Sequence, residues 1–398
     1  PLTPELSQPV PGRRTRASVA HSARLTPRHG VGLNAEMDSH PPESAVMNAT
    51  IVAIDLAKDV FELAFADAQG CIIERKRLSR HAFYRCLANR SPLRVVMEAC
   101  GSAHHWARVF QAQGHAVRLL PARAVKPYVQ GNKTDRADAA GILEADRCGQ
   151  IASVAIKTPQ QQGVQAQHRV RERLKAQRTS LLNLSRGVLR EFGVAIPLGA
   201  TKVKPAVRDA LEDGDNALPM PLRQTLADLL DRIGALETMM VDIERQLGAF
   251  ASRDVDSRRH QQAPGVGVLT ATAISASAGD LHRFASGRHF AAWLGLTPRE
   301  HSSGRKRQLG SITKRGDPYL RTLLIHGARS ALVAALLRRK RGQALDRLQT
   351  WALDVAERRG HNRAAVALAS KLARRLWAMT RDGTPFDGDH VSAAPVAH

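Results

Sequence analysis

Residues 51–78 read IVAIDLAKDVFELAFADAQGCIIERKRL, and this stretch decides the fold of the N-terminal part of the chain. It contains three pieces, IVAIDLA, VFELAFAD and CIIERKRL, in which apolar residues recur with a period close to two. That period is typical of β-strands with one buried face, and the AQG between the second and third pieces is a turn signal. We therefore predict three consecutive antiparallel strands.

The segments that follow alternate between helix and strand patterns. In chain order they are a helix-like piece at 80–89, a strand at 94–99, a helix ending at Gly114, a strand at 116–121 and a helix at 134–147. Thr134 is a suitable N-cap for the last helix, and Asp135 lies in its first turn, where negative charge is favourable. The order βββαβαβα is that of a ribonuclease-H-like α/β domain, which we assign to residues 47–150.

The remainder of the chain is predicted to be mostly α-helical. Residues 160–195 and 221–250 read as long helices with apolar stripes, in a helical region assigned to 151–255. Two interpretations stay open for them: a hairpin within one chain, or a coiled coil that joins two chains. A mostly α C-terminal domain is assigned to 256–385, where APGVGVLTATAISASAG is similar to a helix–hairpin–helix element; its segment 295–317 is predicted to be a loop.

The two ends of the chain and its cysteines carry no functional pattern. Residues 1–46 are rich in Pro, Ser and Arg and contain no secretory signal, so we expect a disordered leader or an upstream extension, with Met47 a candidate start. Residues 386–398 are expected to be a disordered tail. The four cysteines have no C-x-x-C spacing, which argues against a zinc site or a disulfide scaffold. We assign His104 and His105 to surface or capping positions.

The charge balance restricts the function. The 398 residues include 59 Lys and Arg against 36 Asp and Glu, which gives a formal net charge of +23. Such an excess favours a polyanionic partner and salt-sensitive affinity. No stretch approaches the roughly 18 apolar residues of a membrane-spanning helix. We therefore expect a cytoplasmic protein that binds nucleic acid and no membrane.

Four acidic residues stand out against this basic background. Asp55 ends the apolar run IVAID, Glu98 ends VVME, and Asp135 and Asp138 share one helical face because they are three residues apart. In a ribonuclease-H-like sheet the first and fourth strands are neighbours, so Asp55 and Glu98 can converge. Carboxylate oxygens suit Mg²⁺, with Mn²⁺ as a possible substitute, and paired Mg²⁺ ions break phosphodiesters. We predict a metal site at these four residues.

A second candidate site is the polar segment around Ser302 and Ser303. A serine hydroxyl needs a base or a metal to attack phosphorus, and composition alone does not distinguish a nucleophilic serine from an ordinary nucleic-acid-binding loop. Neighbouring cations can hold phosphates and position a duplex without reading its sequence. The predicted nucleic-acid contacts are Lys133, Arg299, Arg305, Lys306, Arg307, Lys314, Arg315 and Arg321.

These segments together resemble a known family. IVAIDLAKDVFELAFAD, VVMEACGSAHHWARVF and NKTDRADA resemble the DEDD domain of bacterial insertion-sequence transposases, relatives of the Piv DNA invertases. The run from PGVGVLTATAISASAGD through GLTPREHSSG to TKRGDPYLRTLLIHGAR resembles that family's second, serine transposase domain. The resemblance spans about residues 50–385. It implies that the four acids form a RuvC-like metal site and that Ser303, in the xSG motif after GLTPR, is the nucleophile; adjacent Ser302 leaves the choice of hydroxyl open.

The resemblance also implies a mechanism and partners. A phosphoserine–DNA intermediate would conserve bond energy, so cutting and rejoining DNA would need no high-energy cofactor. Members of the family are described as guided by a structured non-coding RNA. The resemblance implies assembly into dimers or tetramers in which the metal domain of one subunit meets the serine domain of another. The resemblance thus implies a bacterial, nucleoid-associated DNA transposase or recombinase with DNA and a guide RNA as partners.

Two other functions stay open. A RuvC-like nuclease would use water as the nucleophile, and Ser303 would then only contact DNA. A non-catalytic nucleic-acid-binding relative would need neither the serine nor the metal, but it would gain little from four acids beside phosphates.

Overall fold

The N-terminal domain is a mixed α/β unit in the computed structural model, which describes residues 49–129, 134–304 and 306–390. Its elements are β1 (Ile51–Leu56), β2 (Val60–Ala66), β3 (Ile72–Ser79), α1 (Arg80–Cys86), β4 (Arg94–Glu98), α2 (Ala103–Ala112), β5 (Ala116–Leu120), α3 (Ala122–Val125) and α4 (Asp135–Arg147). The predicted order of strands and helices is confirmed. The predicted leader at 1–46 lies outside the described residues.

The five strands form one sheet in the order β3-β2-β1-β4-β5. β2 pairs antiparallel with β1 and with β3, while β4 pairs parallel with β1 and with β5. Side chains alternate across the sheet, so Val52 and Ile54 pack towards α2, and Ile51 and Ala53 pack towards Ile142 of α4. This mixed sheet with helices on both faces is compatible with a ribonuclease-H-like fold.

A mostly helical body follows the sheet, as predicted. Its elements are α5 (Pro159–Glu191), α6 (Val203–Glu212), α7 (Met220–Arg253), α8 (Val255–His260), α9 (Val268–Ser277), α10 (Gly287–Trp293), β6 (Pro298–Glu300), β7 (Leu309–Ile312), α11 (Pro318–Lys340), α12 (Arg347–Arg359) and α13 (His361–Asp382). The helix α5 starts with a capping box between Thr158 and Gln161, which satisfies N–H groups that the first turn leaves unpaired.

The two long helices α5 and α7 pack against each other within the chain. Arg171 lies 2.6 Å from Glu244 and Arg178 lies 2.6 Å from Glu237, so the residue numbers run in opposite directions and the helices are antiparallel. Apolar side chains from both helices and from α6, among them Leu189 and Ile233, form the core between them. Of the two interpretations, the intrachain hairpin is present; a coiled coil between chains stays a proposal.

The Gly-x-Gly turn between α8 and α9 packs against α11. Gly265 has a φ of +77°, and a Cβ atom at this position would lie only 2.0 Å from the carbonyl oxygen of Gly327. Two glycines therefore allow the turn and the helix to approach backbone to backbone. The resemblance of this turn to a helix–hairpin–helix element stays a proposal.

The helix α11 corrects one expectation from the sequence. It has 23 residues and a mean hydropathy of 1.4 over 18 of them, so its length and composition would suffice to cross a membrane. Its buried side chains, including Leu320, Leu324 and Leu332, belong to the C-terminal core, where the helix packs on α9 and α13. One apolar helix with a face in a core does not indicate a membrane protein.

Two further segments differ from the expectations. Residues 295–317 contain the two-stranded β6–β7 hairpin rather than only a loop, because strands of three and four residues are too short to show a periodic pattern. The tail expected to be disordered from 386 begins with ordered contacts, since Phe386 N–H donates to Gln262 Oε1 and Leu348 N–H donates to Gly388 O. Residues 391–398 lie outside the described residues.

Candidate active site

Two of the predicted carboxylates lie side by side at one edge of the sheet. The parallel register of β1 and β4 runs from Ile51 opposite Arg94 to Ile54 opposite Met97, so Asp55 and Glu98 are the next residues on neighbouring strands. Because alternate residues share a face, Asp55 lies on the same side as Ile51 and Ala53. That is the side that α4 covers.

The helix α4 brings the other two carboxylates to this edge. It starts at Asp135, and Thr134 caps it by accepting a hydrogen bond from the Ala137 N–H at 3.3 Å, as predicted. Ile142 and Leu143 anchor the helix on the sheet core. Gly141 allows close packing, since a Cβ there would lie 2.7 Å from a methyl group of Val129. Asp138 lies one turn into the helix and is half-buried.

The electrostatics of Asp55 indicate that the four acids interact. Burial, and after it the negative charges of Asp138, Asp135 and Glu98 in that order, together raise the pKa of Asp55 from its ordinary 3.8 to about 6. A hydrogen bond that the carboxylate accepts from the Leu56 N–H opposes the shift. A half-buried carboxyl group with three acidic neighbours is a place where positive charge is favoured.

The donor chemistry of this edge fits a divalent cation of the Mg²⁺ type. All four side chains offer carboxylate oxygens, which hard cations prefer, and a bound cation would remove the repulsion at Asp55. Within the described ranges, no group of three acidic, histidine or cysteine side chains is already close enough to hold a metal ion. The other three acids still affect the pKa of Asp55, because charges interact over longer distances than the bonds between a metal and its ligands. Binding would therefore require the carboxylates to close in.

The serine candidates lie at the tip of the β6–β7 hairpin. Ser303 and Lys306 form a backbone bridge, with N–H to oxygen distances of 3.2 and 3.1 Å, around a turn in which Gly304 has a φ of +55°. Ser302 Oγ donates to Glu300 Oε1 at 2.7 Å and accepts from the Gln308 N–H at 3.1 Å. Among the described residues, none hydrogen-bonds the hydroxyl of Ser303, and the residue is exposed.

The predicted cationic contacts fall into two groups. Arg299, Lys306, Arg307, Lys314 and Arg315 are exposed, although Arg307 lies 3.4 Å from Glu300. Arg321 differs, because its Nη1 donates to the carbonyl oxygens of Leu294 and Gly316, both at 3.2 Å, which gives it a structural role. Lys133 and Arg305 lie outside the described residues.

The loop that carries Lys314 and Arg315 touches the N-terminal domain. Lys314 has a φ of 55°, the one positive φ at a non-glycine position in the described part of the chain, and its N–H donates to Gly295 O. Arg123 of α3 donates to Arg315 O at 3.2 Å. Since α3 follows β5 at the edge where Glu98 ends β4, these cations approach the carboxylate edge from the C-terminal body. Sequence reasoning missed Arg123, because a contact across 192 positions leaves no local pattern.

Comparison with known proteins identifies the relatives of this chain. The profile named for DEDD transposases of the IS110 type matches residues 52–194, and the profile described as "Transposase IS116/IS110/IS902 family" matches residues 257–343. The chain is 42% identical to a "Probable family 20 transposase" of Pseudomonas aeruginosa, over 84% of this chain and 97% of the relative. It is 42% identical to the transposase for insertion sequence element IS1111A of Coxiella burnetii, over 84% and 90% respectively. It is 36% identical to the transposase for IS1328 of Yersinia enterocolitica, over 85% and 99%.

Proposed function

The chain belongs to the IS116/IS110/IS902 family of insertion-sequence transposases, and we propose that it cleaves DNA at the edge of the sheet formed by Asp55, Glu98, Asp135 and Asp138. The observation that carries the proposal is that Asp55 and Glu98 end neighbouring strands under α4, and the raised pKa of Asp55, with the other three acids as its electrostatic neighbours, supports it. A transposase needs a place where a phosphodiester can be attacked, and the DEDD domain suggests a divalent metal ion for this purpose.

The four carboxylates would hold Mg²⁺, with Mn²⁺ as a substitute. When bound, the metal would stabilise the negative charge that develops on the attacked phosphate. Asp55 contributes a carboxylate that becomes fully ionised once positive charge is present, and α4 holds Asp138 over the strand ends. Exposed Lys314 and Arg315 would hold the flanking phosphates.

For the nucleophile we propose Ser303. Its support is an exposed hydroxyl at the hairpin tip that has no hydrogen bond from the described residues, whereas Ser302 is engaged by Glu300 and Gln308. In the reaction a bond from Ser303 Oγ to phosphorus replaces a bond from phosphorus to a sugar oxygen. The sugar oxygen leaves as a hydroxyl with the proton that the serine loses. The phosphoserine ester keeps the bond energy for rejoining.

Two serine variants test this assignment. Ser303→Ala should abolish the covalent protein–DNA adduct and recombination, because no other hydroxyl stands free at the tip. Ser302→Ala is the matched control; it should still form the adduct, at a reduced rate, because it loses the bonds to Glu300 and Gln308. The adduct is measured by denaturing gel electrophoresis with end-labelled DNA.

The competing candidate is a RuvC-like nuclease mechanism with water as the nucleophile. The observation that favours it is that the carboxylate edge belongs wholly to the N-terminal domain, so cleavage there needs no residue from the hairpin. If Ser303→Ala still cleaves DNA without an adduct, water is the nucleophile and the serine proposal is wrong. If Asp55→Asn retains full recombination, the carboxylate edge is not the active site.

Guidance by a structured RNA, assembly into dimers or tetramers, and a cytoplasmic location near the nucleoid are parts of the same proposal. The net charge of +23 supports the RNA partner, because it favours a polyanion, and the family resemblance supports the assembly and the location. Recombination in cells with and without the non-coding segments that flank the reading frame tests the RNA requirement. Equal recombination in both would contradict it.

A further inference from the structure

A cluster of cations lies where the N-terminal domain, the segment before α5 and the C-terminal body meet. It consists of Lys157, Arg108 on α2 and Arg169 on α5, whose charges all act on His104, and of Arg283 in the turn before α10, whose charge acts on Lys157; we call it the junction cluster. Arg108 Nη1 donates to Lys157 O at 2.6 Å and to Gln162 Oε1 at 2.7 Å. Residues from three separate parts of the chain thus build one positively charged surface.

His104 holds Lys157 in place without offering it negative charge. The Lys157 N–H donates to His104 Nδ1 at 3.3 Å, and Lys157 Nζ lies 3.3 Å from His104 Nε2. Burial and the nearby charges of Lys157, Arg108 and Arg169 lower the pKa of His104 to about 4, so the ring is neutral at physiological pH. It is half-buried rather than at the surface or in a cap, which differs from the sequence expectation.

Among the described residues, Asp280 attracts Arg283 and Asp317 attracts Lys157, so the positive charge of the junction cluster is only partly balanced. None of its four cations forms a salt bridge with a described carboxylate. Burial lowers the pKa of Lys157, and Arg283 and Arg169 lower it further. Asp317 opposes this shift, but its carboxylate already accepts hydrogen bonds from the Tyr319 and Leu320 N–H groups. Half-buried, unpaired cations are costly unless an anion joins them.

The shape of the junction cluster suits the backbone of a nucleic acid. Arg169 and Arg283 are exposed at its rim, and Arg108 and Lys157 are half-buried behind them. The Arg283 guanidinium lies over the rings of Phe284 and Trp293, 4.5 and 5.4 Å from their centroids, which holds it in a fixed direction. The helix α2 starts five residues after Glu98, so its first turn, which carries His104, follows the edge of the sheet where Glu98 lies.

We propose that the junction cluster is a phosphodiester-binding site, separate from the carboxylate edge and from the serine hairpin, that holds the nucleic acid across the contact between the N-terminal domain and the C-terminal body. The ligand chemistry is a run of backbone phosphates, from duplex DNA or from a folded RNA. The inference rests on the proposed function in one respect, because that function makes nucleic acid the expected polyanion.

Binding measured without divalent cations tests this inference independently of strand cleavage. The probes are a fluorescein-labelled duplex of 30 base pairs, which is about three helical turns, and an RNA hairpin of 30 nucleotides, both titrated in EDTA at several NaCl concentrations. The slope of log K against log[NaCl] is negative. Lys157→Met and Arg283→Met should each make it less steep by about 0.9 for the duplex, as expected for one lost phosphate contact. Arg283→Lys, which keeps the charge, should retain the slope.

The control and the stability readout separate binding from a structural role. Lys175→Met removes the same unit of charge from α5 at an exposed lysine that lies 3.6 Å from Glu172, and its slope should stay near that of the wild type. Lys157→Met should melt no lower than the wild type, because it removes a half-buried cation from among cations. An unchanged slope, an equal drop in Lys175→Met, or a lower melting temperature for Lys157→Met would overturn the inference. If the salt dependence weakens with just one of the two probes, the site binds that nucleic acid.

Discussion

Asp55 combines burial and like-charge neighbours in a single carboxyl group. Its place next to the end of β1 follows from the strand pattern, but its pKa of about 6 follows from burial and from three acids on β4 and α4. Because the folded protein holds a proton here that the unfolded chain would release, ionising this residue in the metal-free protein has a free-energy cost.

Asp55→Asn should therefore stabilise the metal-free protein while it abolishes strand cleavage. The folded pKa of about 6 lies above the ordinary 3.8, so the stability that protonation gives is present below pH 4 and is lost as the pH rises through 6. At pH 8 the variant should be more stable by about 1 kcal/mol, reduced for partial solvent screening, which is about 2 °C in Tm. At pH 5 the difference should shrink.

Thermal melting in EDTA at the two pH values measures this effect. Asp59→Asn, at an exposed position between β1 and β2, is the matched control and should leave the melting temperature unchanged at both. A lower melting temperature for Asp55→Asn at pH 8 would show that the acids do not repel one another.

Among the elements, α11 and the turn before α9 depend on close contact between two backbones. A Cβ on Gly327 would lie 2.1 Å from Gly265 O, and a Cβ on Gly265 would lie 2.0 Å from Gly327 O. The contact fixes α11, whose N-terminus follows the loop that carries Lys314 and Arg315. The position of these cations therefore depends on packing far from the loop.

Gly327→Ala should destabilise the protein by about 3 kcal/mol or more, because the added methyl group overlaps a backbone carbonyl that cannot rotate away. Gly248→Ala in α7 is the matched control: no atom lies within 4 Å of its Cβ position, so alanine should stabilise that helix by about 1 kcal/mol. Urea unfolding measures both. Equal effects of the two substitutions would contradict the packing role of Gly327.

For the whole molecule, the relevant feature is that the two candidate centres belong to different hydrophobic cores. The carboxylate edge lies on the core of the sheet, whereas the β6–β7 hairpin extends from the core that contains α9, α11 and α13. The hydrogen bonds of Ser302 stay within the hairpin. Since neither core contains both centres, a site that two subunits complete together stays part of our proposal.

Mixing two inactive variants tests such a composite site. Cells that express both Asp55→Asn and Ser303→Ala should recombine element ends, because in a mixed assembly the intact acids of one chain can meet the intact serine of the other. Each variant alone should be inactive. Recombination is measured by PCR across the new junction. If the mixture stays as inactive as each variant alone, both centres act within one chain.

The sequence by itself determined the strands and helices of the N-terminal domain and where the four acids lie along them. Those features depend on residues a few positions apart: a period of two for β1–β3, a threonine cap for α4, an i,i+3 pair for Asp135 and Asp138. The same local patterns could not find the β6–β7 hairpin, whose strands are too short, or tell that Arg321 would bind carbonyl oxygens.

Only the tertiary structure decided which charges meet. The raised pKa of Asp55 requires β1 beside β4 with α4 across them. The junction cluster requires α2 to pack beside Lys157, 49 positions away, and Arg123 reaches Arg315 across 192 positions. The physical reason is that secondary structure follows from the local spacing of apolar residues, whereas the field at a side chain is the sum over every charge that folding brings near it.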